Sequence, residues 1–186
     1  MRGEYLQNQL LVAMPSLSDP NFAQTVTLIC EHTARGALGI VLNRPLSMQL
    51  GEVFDQLDLH PDDSNLRTHR VLRGGPVQCD RGFVLHGPGG EWDSTLRVSD
   101  QVHVTTSRDI LTAMARGDGP EHAVMALGYA GWEAGQLEDE IRSNTWLNVP
   151  VDESIIFSVP FEQRWQSAAR LLGVDLGRIS PKAGHA

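Results

Sequence analysis

The sequence predicts an α+β domain of at least two layers around a mixed β-sheet. Three observations point there. Short runs of strand length, apolar or alternating, fill the first half. The second half mixes strands with short amphipathic helices. No strict alternation of strands with long helices runs through the chain, as a doubly wound parallel sheet would require. With 186 residues, 41 % hydrophobic and 20 % charged, the chain suits a single domain, 1–186, that buries a core of its own.

The elements follow in order. Leu10–Met14 is a short apolar strand ended by Pro15. Thr25–His32 alternates, with Val26, Leu28, Cys30 and His32 on one face and Thr25, Thr27, Ile29 and Glu31 on the other, so a half-buried strand is expected. Leu38–Leu42 is apolar enough to lie centrally in the sheet, and Arg44-Pro45 ends it. Ser47 is expected to cap a helix carrying Leu50, Val53, Phe54 and Leu57 on one stripe. Residues 60–69 read as a polar loop. Val71–Arg73 and Gly82–His86 read as strands, punctuated by Gly74-Gly75-Pro76.

In the second half, Gln101–Thr105 alternates, with Val102 and Val104 inward. Thr106 and Asp109 have the spacing of a capping box, opening a helix that runs through Met114 and stops at Gly117. His122–Tyr129 is apolar on both faces, a buried strand. Gly135–Ser143 is a short helix with acids in its first turns, where the helix dipole favours them. Ile155–Val159 is expected to be a strand. Glu162–Leu172 is expected to be a helix with Trp165, Ala168, Ala169 and Leu172 on one stripe. A tail over 178–186 is expected to fray.

Composition narrows the functional classes. The net charge of −8 offers no basic footprint for phosphate contacts, which disfavours direct nucleic-acid binding. The N-terminal residues lack the basic-then-apolar order of a signal peptide, and no apolar run reaches membrane-spanning length. No membrane partner is expected, and the expected compartment is the cytoplasm. Two cysteines, Cys30 and Cys79, are expected to be free thiols.

Taken in order, the motifs resemble the YqgE/AlgH family over about residues 6–174. They are Met14-Pro15, Asp19-Pro20 with Phe22, Cys30-Glu31-His32, Gly36-Ala37-Leu38-Gly39, Asn43-Arg44-Pro45, Gly74-Gly75-Pro76-Val77 and Arg81–His86. They continue with Gly128-Tyr129-Ala130-Gly131-Trp132, Gly135–Glu138, Asn144-Thr145-Trp146-Leu147 and Arg164-Trp165. The resemblance implies a branched sheet surrounded by helices. It implies no established enzyme activity and supplies no catalytic residues. Some members are labelled transcriptional regulators, yet no helix-turn-helix segment is legible.

Each candidate residue is weighed against a plain structural role. Cys30 and His32, on one strand face, could share a metal or pair as nucleophile and base. Cys30 reads first as a buried hydrophobe, with metal second and nucleophile third. His86 is the available third ligand and no fourth is evident, so neither a metal nor a cofactor is expected. Glu31 is expected to pair with an arginine. His32 and His86 close apolar strands, where they either accept hydrogen bonds or line a pocket mouth. Asn43 and Arg44 form a strand terminus or present a guanidinium to an anion. Trp132, Gln136 and Glu138 cluster between a buried strand and a helix, at a ligand site or a core-covering bend. Asp139 and Glu140 extend an acidic patch there. Gly74-Gly75-Pro76 is a turn, not a phosphate loop, because a strand follows and Pro76 lacks a donor.

Three readings follow. The preferred one is a non-enzymatic binding or regulatory protein acting through a protein or small-ligand partner. The second is an enzyme, hydrolytic in kind, using Glu31, His32, His86 or Glu138. The third, a transcriptional regulator, is disfavoured as a direct DNA binder.

Overall fold

The computed structural model describes residues 5–178. The chain runs β1 (Gln9–Ala13), β2 (Val26–Thr33), β3 (Gly36–Val41), β4 (Pro45–Gln49), α1 (Leu50–Gln56), α2 (Ser64–Arg67), β5 (Arg70–Arg73), β6 (Val77–His86), β7 (Thr95–Arg97) and β8 (His103–Thr105). It continues with α3 (Asp109–Ala115), β9 (Ala123–Glu133), α4 (Gln136–Arg142), β10 (Trp146–Pro150), α5 (Glu153–Phe157) and α6 (Arg164–Arg170). The main sheet order is β10-β1-β2-β3-β9-β6-β8-β7, and β4 and β5 branch from it. The fold is α+β, with a mixed and branched sheet flanked by helices.

The branch lies on β9. One edge of this strand carries antiparallel β6. Its other edge is divided: β5 runs parallel beside Ala126 and Leu127, and β3 runs antiparallel beside Ala130–Glu133. The division needs glycine. Gly74 donates to the Leu127 carbonyl at 2.8 Å and accepts from the Val41 amide at 2.8 Å, so it ties both halves together. A Cβ on Gly75 would overlap the Tyr129 carbonyl, and Gly128 takes φ +80. The Gly74-Gly75 pair is a close backbone crossing, a requirement only residues without a Cβ meet.

Three apolar clusters form around this frame. The largest covers one face with Leu10, Leu28, Leu72, Phe83 and Leu85 against Ile155, Ile156, Ala168 and Ala169 of α5 and α6. The opposite face is split. Val53 and Phe54 of α1 and Ile110 and Leu111 of α3 cover its β5–β6 half with Val84 and Met125. Leu137 of α4 covers the β1–β3 half with Leu11, Ile29, Trp132 and Trp146. Period-two alternation explains the split in β1, where Leu10 and Val12 enter the first cluster and Leu11 and Ala13 the third.

Several local expectations need correction. β2 is buried on both faces as far as Cys30: Thr27 is fully buried, and Ile29 packs in the cluster that holds Leu137 of α4. Ser47 belongs to β4; α1 is entered from Gln49, whose amide donates to the Glu52 carboxylate at 2.8 Å. The 60–69 loop contains the single helical turn α2, held by the Asp63 carboxylate accepting from the Asn65 amide. Thr106 does not cap α3. The N-cap is Arg108, without a side-chain cap bond, and the Asp109 carboxylate in the first turn accepts from the Ile110 amide and the Ser107 hydroxyl. Residues 155–159 are not a strand. Asp152 caps α5 through the Ser154 amide and hydroxyl, and the turn tucks Ile155 and Ile156 into one core. Leu172 is 47 % exposed, because α6 ends at Arg170 before the stripe reaches it. The strands β7 and β10 carry too little apolar pattern to be legible. Of the expected tail, residues 179–186 lie outside the described residues.

Candidate functional site

The residues singled out in the sequence fall into separate places. His32 and Glu138 meet. A register shift in β2 between Ile29 and Glu31 adds one residue to the strand. That bulge reverses the side-chain phase beyond it. His32 therefore turns toward the Ile29 face, away from Cys30, and Glu31 turns toward Leu28 and Leu38. The expected shared face of Cys30 and His32 is overturned. His32 Nδ1 accepts from the Leu6 amide at 2.8 Å, and its Nε2 lies 2.6 Å from Glu138 Oε1. With Nδ1 occupied by a donor, the neutral ring carries its proton on Nε2 and donates it to Glu138. Glu31 is exposed, and no arginine lies within ion-pair reach of it among the described residues.

Two residues further along α4, Glu140 holds the rest of the cluster. Its Oε1 accepts from the Trp132 indole at 3.1 Å and the Trp146 indole at 2.9 Å. Its Oε2 accepts from Gln136 Nε2 at 2.9 Å, while Gln136 Oε1 accepts from the Glu133 amide. Trp132 is buried and edge-packed on Trp146. Both Glu140 oxygens and both indole N–H groups have protein partners, which ties α4 to β9 and β10. Glu140 escaped sequence reasoning as a key group. Its signal is the i, i+4 spacing to Gln136, but Trp146 lies on another element.

His86 stands at the other end of β9, opposite Ala123 rather than Trp132. It is buried, donates from Nδ1 to the Gly87 carbonyl at 2.8 Å and takes the Thr105 hydroxyl on Nε2 at 2.7 Å. Burial pulls its pKa below the ordinary value, opposed by the Gly87 bond and aided by His103. About nine residues of strand, some 25–30 Å if extended, separate its pairing position from that of Trp132. Glu31, His32, His86 and Glu138 therefore share no one cleft.

Asn43 and Arg44 act on the backbone. Asn43 accepts from the Val26 amide and donates to the Gln24 carbonyl. Arg44 donates to the Pro20 and Ala23 carbonyls at 3.1 and 2.7 Å. Together they hold the segment between β1 and β2 against the end of β3. Cys30 is fully buried, and burial, with Glu31 adding to it, pushes its thiol up to about 12. Such a thiol is a poor nucleophile at neutral pH. Both cysteines are free. Among the described residues no group of three or more His, Cys, Asp or Glu side chains is placed to hold a metal, and no helix is long and apolar enough to cross a membrane.

A further cleft lies elsewhere, between α1, α3, β6 and β9. It has a volume of about 500 Å³. Met48, Val53, Leu57, Leu111, Met125 and Leu127 give it an apolar wall, and Thr106, Ser107 and Arg108 form a polar lip. These residues come from five segments of chain, so nothing in their sequence spacing announces the cleft.

Fold and sites together define a class: a single α+β domain with a branched sheet, its polar motifs spent largely on cohesion and its apolar cleft between α1, α3, β6 and β9. The chain belongs to the AlgH-like family, whose model matches residues 10–177. It is 56 % identical over 179 residues to a UPF0301 protein of Thioalkalivibrio sulfidiphilus, covering 96 % of each chain. A UPF0301 protein of Saccharophagus degradans is 51 % identical over 186 residues, covering 99 % of this chain and 91 % of that one. The solution structure of the AlgH protein from Pseudomonas aeruginosa superposes with a TM-score of 0.80 at 48 % identity, covering all of both chains. A crystal structure from Corynebacterium diphtheriae shares the fold at 21 % identity and TM-score 0.73, covering 95 % of this chain and 92 % of that one.

Proposed function

We propose that this protein is a non-catalytic, cytoplasmic small-molecule-binding protein that acts on partners through the occupancy of its apolar cleft. The observation that carries this reading is the cleft of about 500 Å³ between α1, α3, β6 and β9. Its size suits a small organic ligand, and beside its apolar wall it offers polar groups at Thr105, Thr106, Ser107 and Arg108, with Gln56, Cys79 and Asp80 also in the lining. The two methionines, Met48 and Met125, adapt to varied apolar shapes. The ligand this lining fits has an apolar body and a hydroxyl or carbonyl head set against Thr106–Arg108.

An enzyme using Glu31, His32, His86 or Glu138 is disfavoured by the distance of His86 from the His32–Glu138 pair. A regulatory role through a protein partner fits the reading. Direct DNA binding does not, at a net charge of −8.

The test uses a neutral apolar dye, N-phenyl-1-naphthylamine, with the full chain and the Gln56→Trp variant. Gln56 is an exposed residue on the cleft wall, so the indole fills the cleft without touching the core. Saturable fluorescence enhancement is expected for the native chain, weakened by roughly tenfold in the variant. Equal enhancement in both proteins, or none in either, would overturn the reading.

A further inference from the structure

Arg164 is the most deeply buried charged residue among the described residues, at 3 % exposed. It opens α6 and reaches back across the first cluster. Nε donates to the Val159 carbonyl at 2.8 Å and Nη1 to the Leu42 carbonyl at 2.9 Å. The guanidinium lies over the Phe161 ring, 4.6 Å from its centroid. No carboxylate lies within ion-pair distance among the described residues. Nη2 has no protein acceptor there. Burial pulls the group down to about 10, which leaves it a cation at neutral pH.

A buried cation without a counterion is costly, and natural proteins pair such groups. Two carbonyls and an aromatic face offset part of that cost. They leave one edge of the guanidinium open, and that edge belongs to a cleft of about 340 Å³. Arg70 and His69 stand in the wall of the same cleft, and Phe157 and Phe161 line it. Its wall contains no carboxylate. In a chain of net charge −8, a cleft lined by two arginines and no acid is a local reversal of sign.

We propose that this cleft binds a small organic oxyanion, a carboxylate or phosphate monoester on an aromatic or apolar group. Arg164 receives the oxyanion on its open edge, Arg70 and His69 close on it from the mouth, and the phenylalanines hold the apolar part. Guanidinium suits this task because its planar N–H groups match the oxygens of either anion. The inference goes beyond the apolar cleft between α1 and α3. The two sites share Met125 in their walls, yet they call for ligands of different charge.

The experiment is calorimetric titration of the full chain at low ionic strength with phenyl phosphate, benzoate, inorganic phosphate and, as neutral control, benzyl alcohol. Saturable binding of phenyl phosphate or benzoate is expected, and which of them binds more tightly identifies the oxyanion. Inorganic phosphate should bind more weakly than phenyl phosphate, and any benzyl alcohol taken up by the apolar cleft should bind the native chain and the Arg70 and Arg164 variants alike. Arg70→Met, at an exposed position, and Arg164→Lys, which keeps the charge but loses the fork, should each weaken binding by roughly tenfold. The proposal is overturned if no anion binds below about 10 mM. It is equally overturned if both variants bind the anions like the native chain. The neutral-dye result does not enter into any of these outcomes.

Discussion

The two ends of β9 solve opposite problems with charged side chains. At the C-terminal end, Glu140 takes three donors, and Glu138 takes the proton-bearing nitrogen of His32. The network closes on itself. At the N-terminal end, two clefts flank the strand and Arg164 keeps one edge without a protein acceptor. The polar knot stabilises a corner of the fold, with both Glu140 oxygens already taken by protein donors. An unmatched buried cation costs stability and invites a counterion. The sequence motifs with the most chemistry in them sit in the knot, so richness in polar residues points to the wrong end of the strand.

The largest expected effect comes from erasing the boundary between the two ends. Gly75→Ala places a Cβ into the Tyr129 carbonyl, with no flexible side chain to yield. A loss of about 4 kcal/mol or more is expected, which leaves little folded protein. Urea unfolding followed by circular dichroism measures it. A native-like midpoint would show that the backbones can separate and that the two halves are less firmly joined than the crossing implies.

A smaller change isolates the knot. Glu140→Ala strands two buried indole N–H groups, and a loss of about 3 kcal/mol is expected. Dye and anion binding should persist in the folded fraction. If binding is lost in step with this variant at native protein concentrations, the two ends are coupled and the contrast between them fails.

The smallest effect is a pH dependence at the N-terminal end. Burial holds His86 below its ordinary value, so the unfolded chain takes up this proton at a higher pH than the folded one. Stability from this group is therefore full above about pH 6.5 and is lost as pH falls through the folded value. Urea midpoints measured across that window should decline for the native chain and decline less for His86→Gln. Parallel curves for the two proteins would assign the acid sensitivity to other groups.

Much of the fold is legible in the sequence. Leu10–Met14, Leu38–Leu42 and His122–Tyr129 read as strands because continuous apolar runs of that length have few other places to go. Leu50, Val53 and Phe54 read as a helix face because their spacing matches the helical period. The failures are local contests that tertiary contacts settle. Ile155–Val159 has β-branched residues, yet the Asp152 cap and burial against the first cluster make its opening a helix. Of the candidate site, the contact between Glu138 and His32 is half legible, since both residues stand out in the sequence. Their partnership is not, because it depends on a bulge.

By itself the sequence determined composition, net charge, the principal strands and helices, and the crowding of glycines that a branch in the sheet requires. These are properties of neighbours along the chain, set by periodicity and by backbone freedom at single residues. Only the tertiary structure decided which face His32 turns to, which carboxylate receives the two indoles, and that Arg164 has no matching acid among the described residues. One inserted residue in β2 reverses a face, and clefts are walled by segments far apart in sequence. Periodicity carries no record of either.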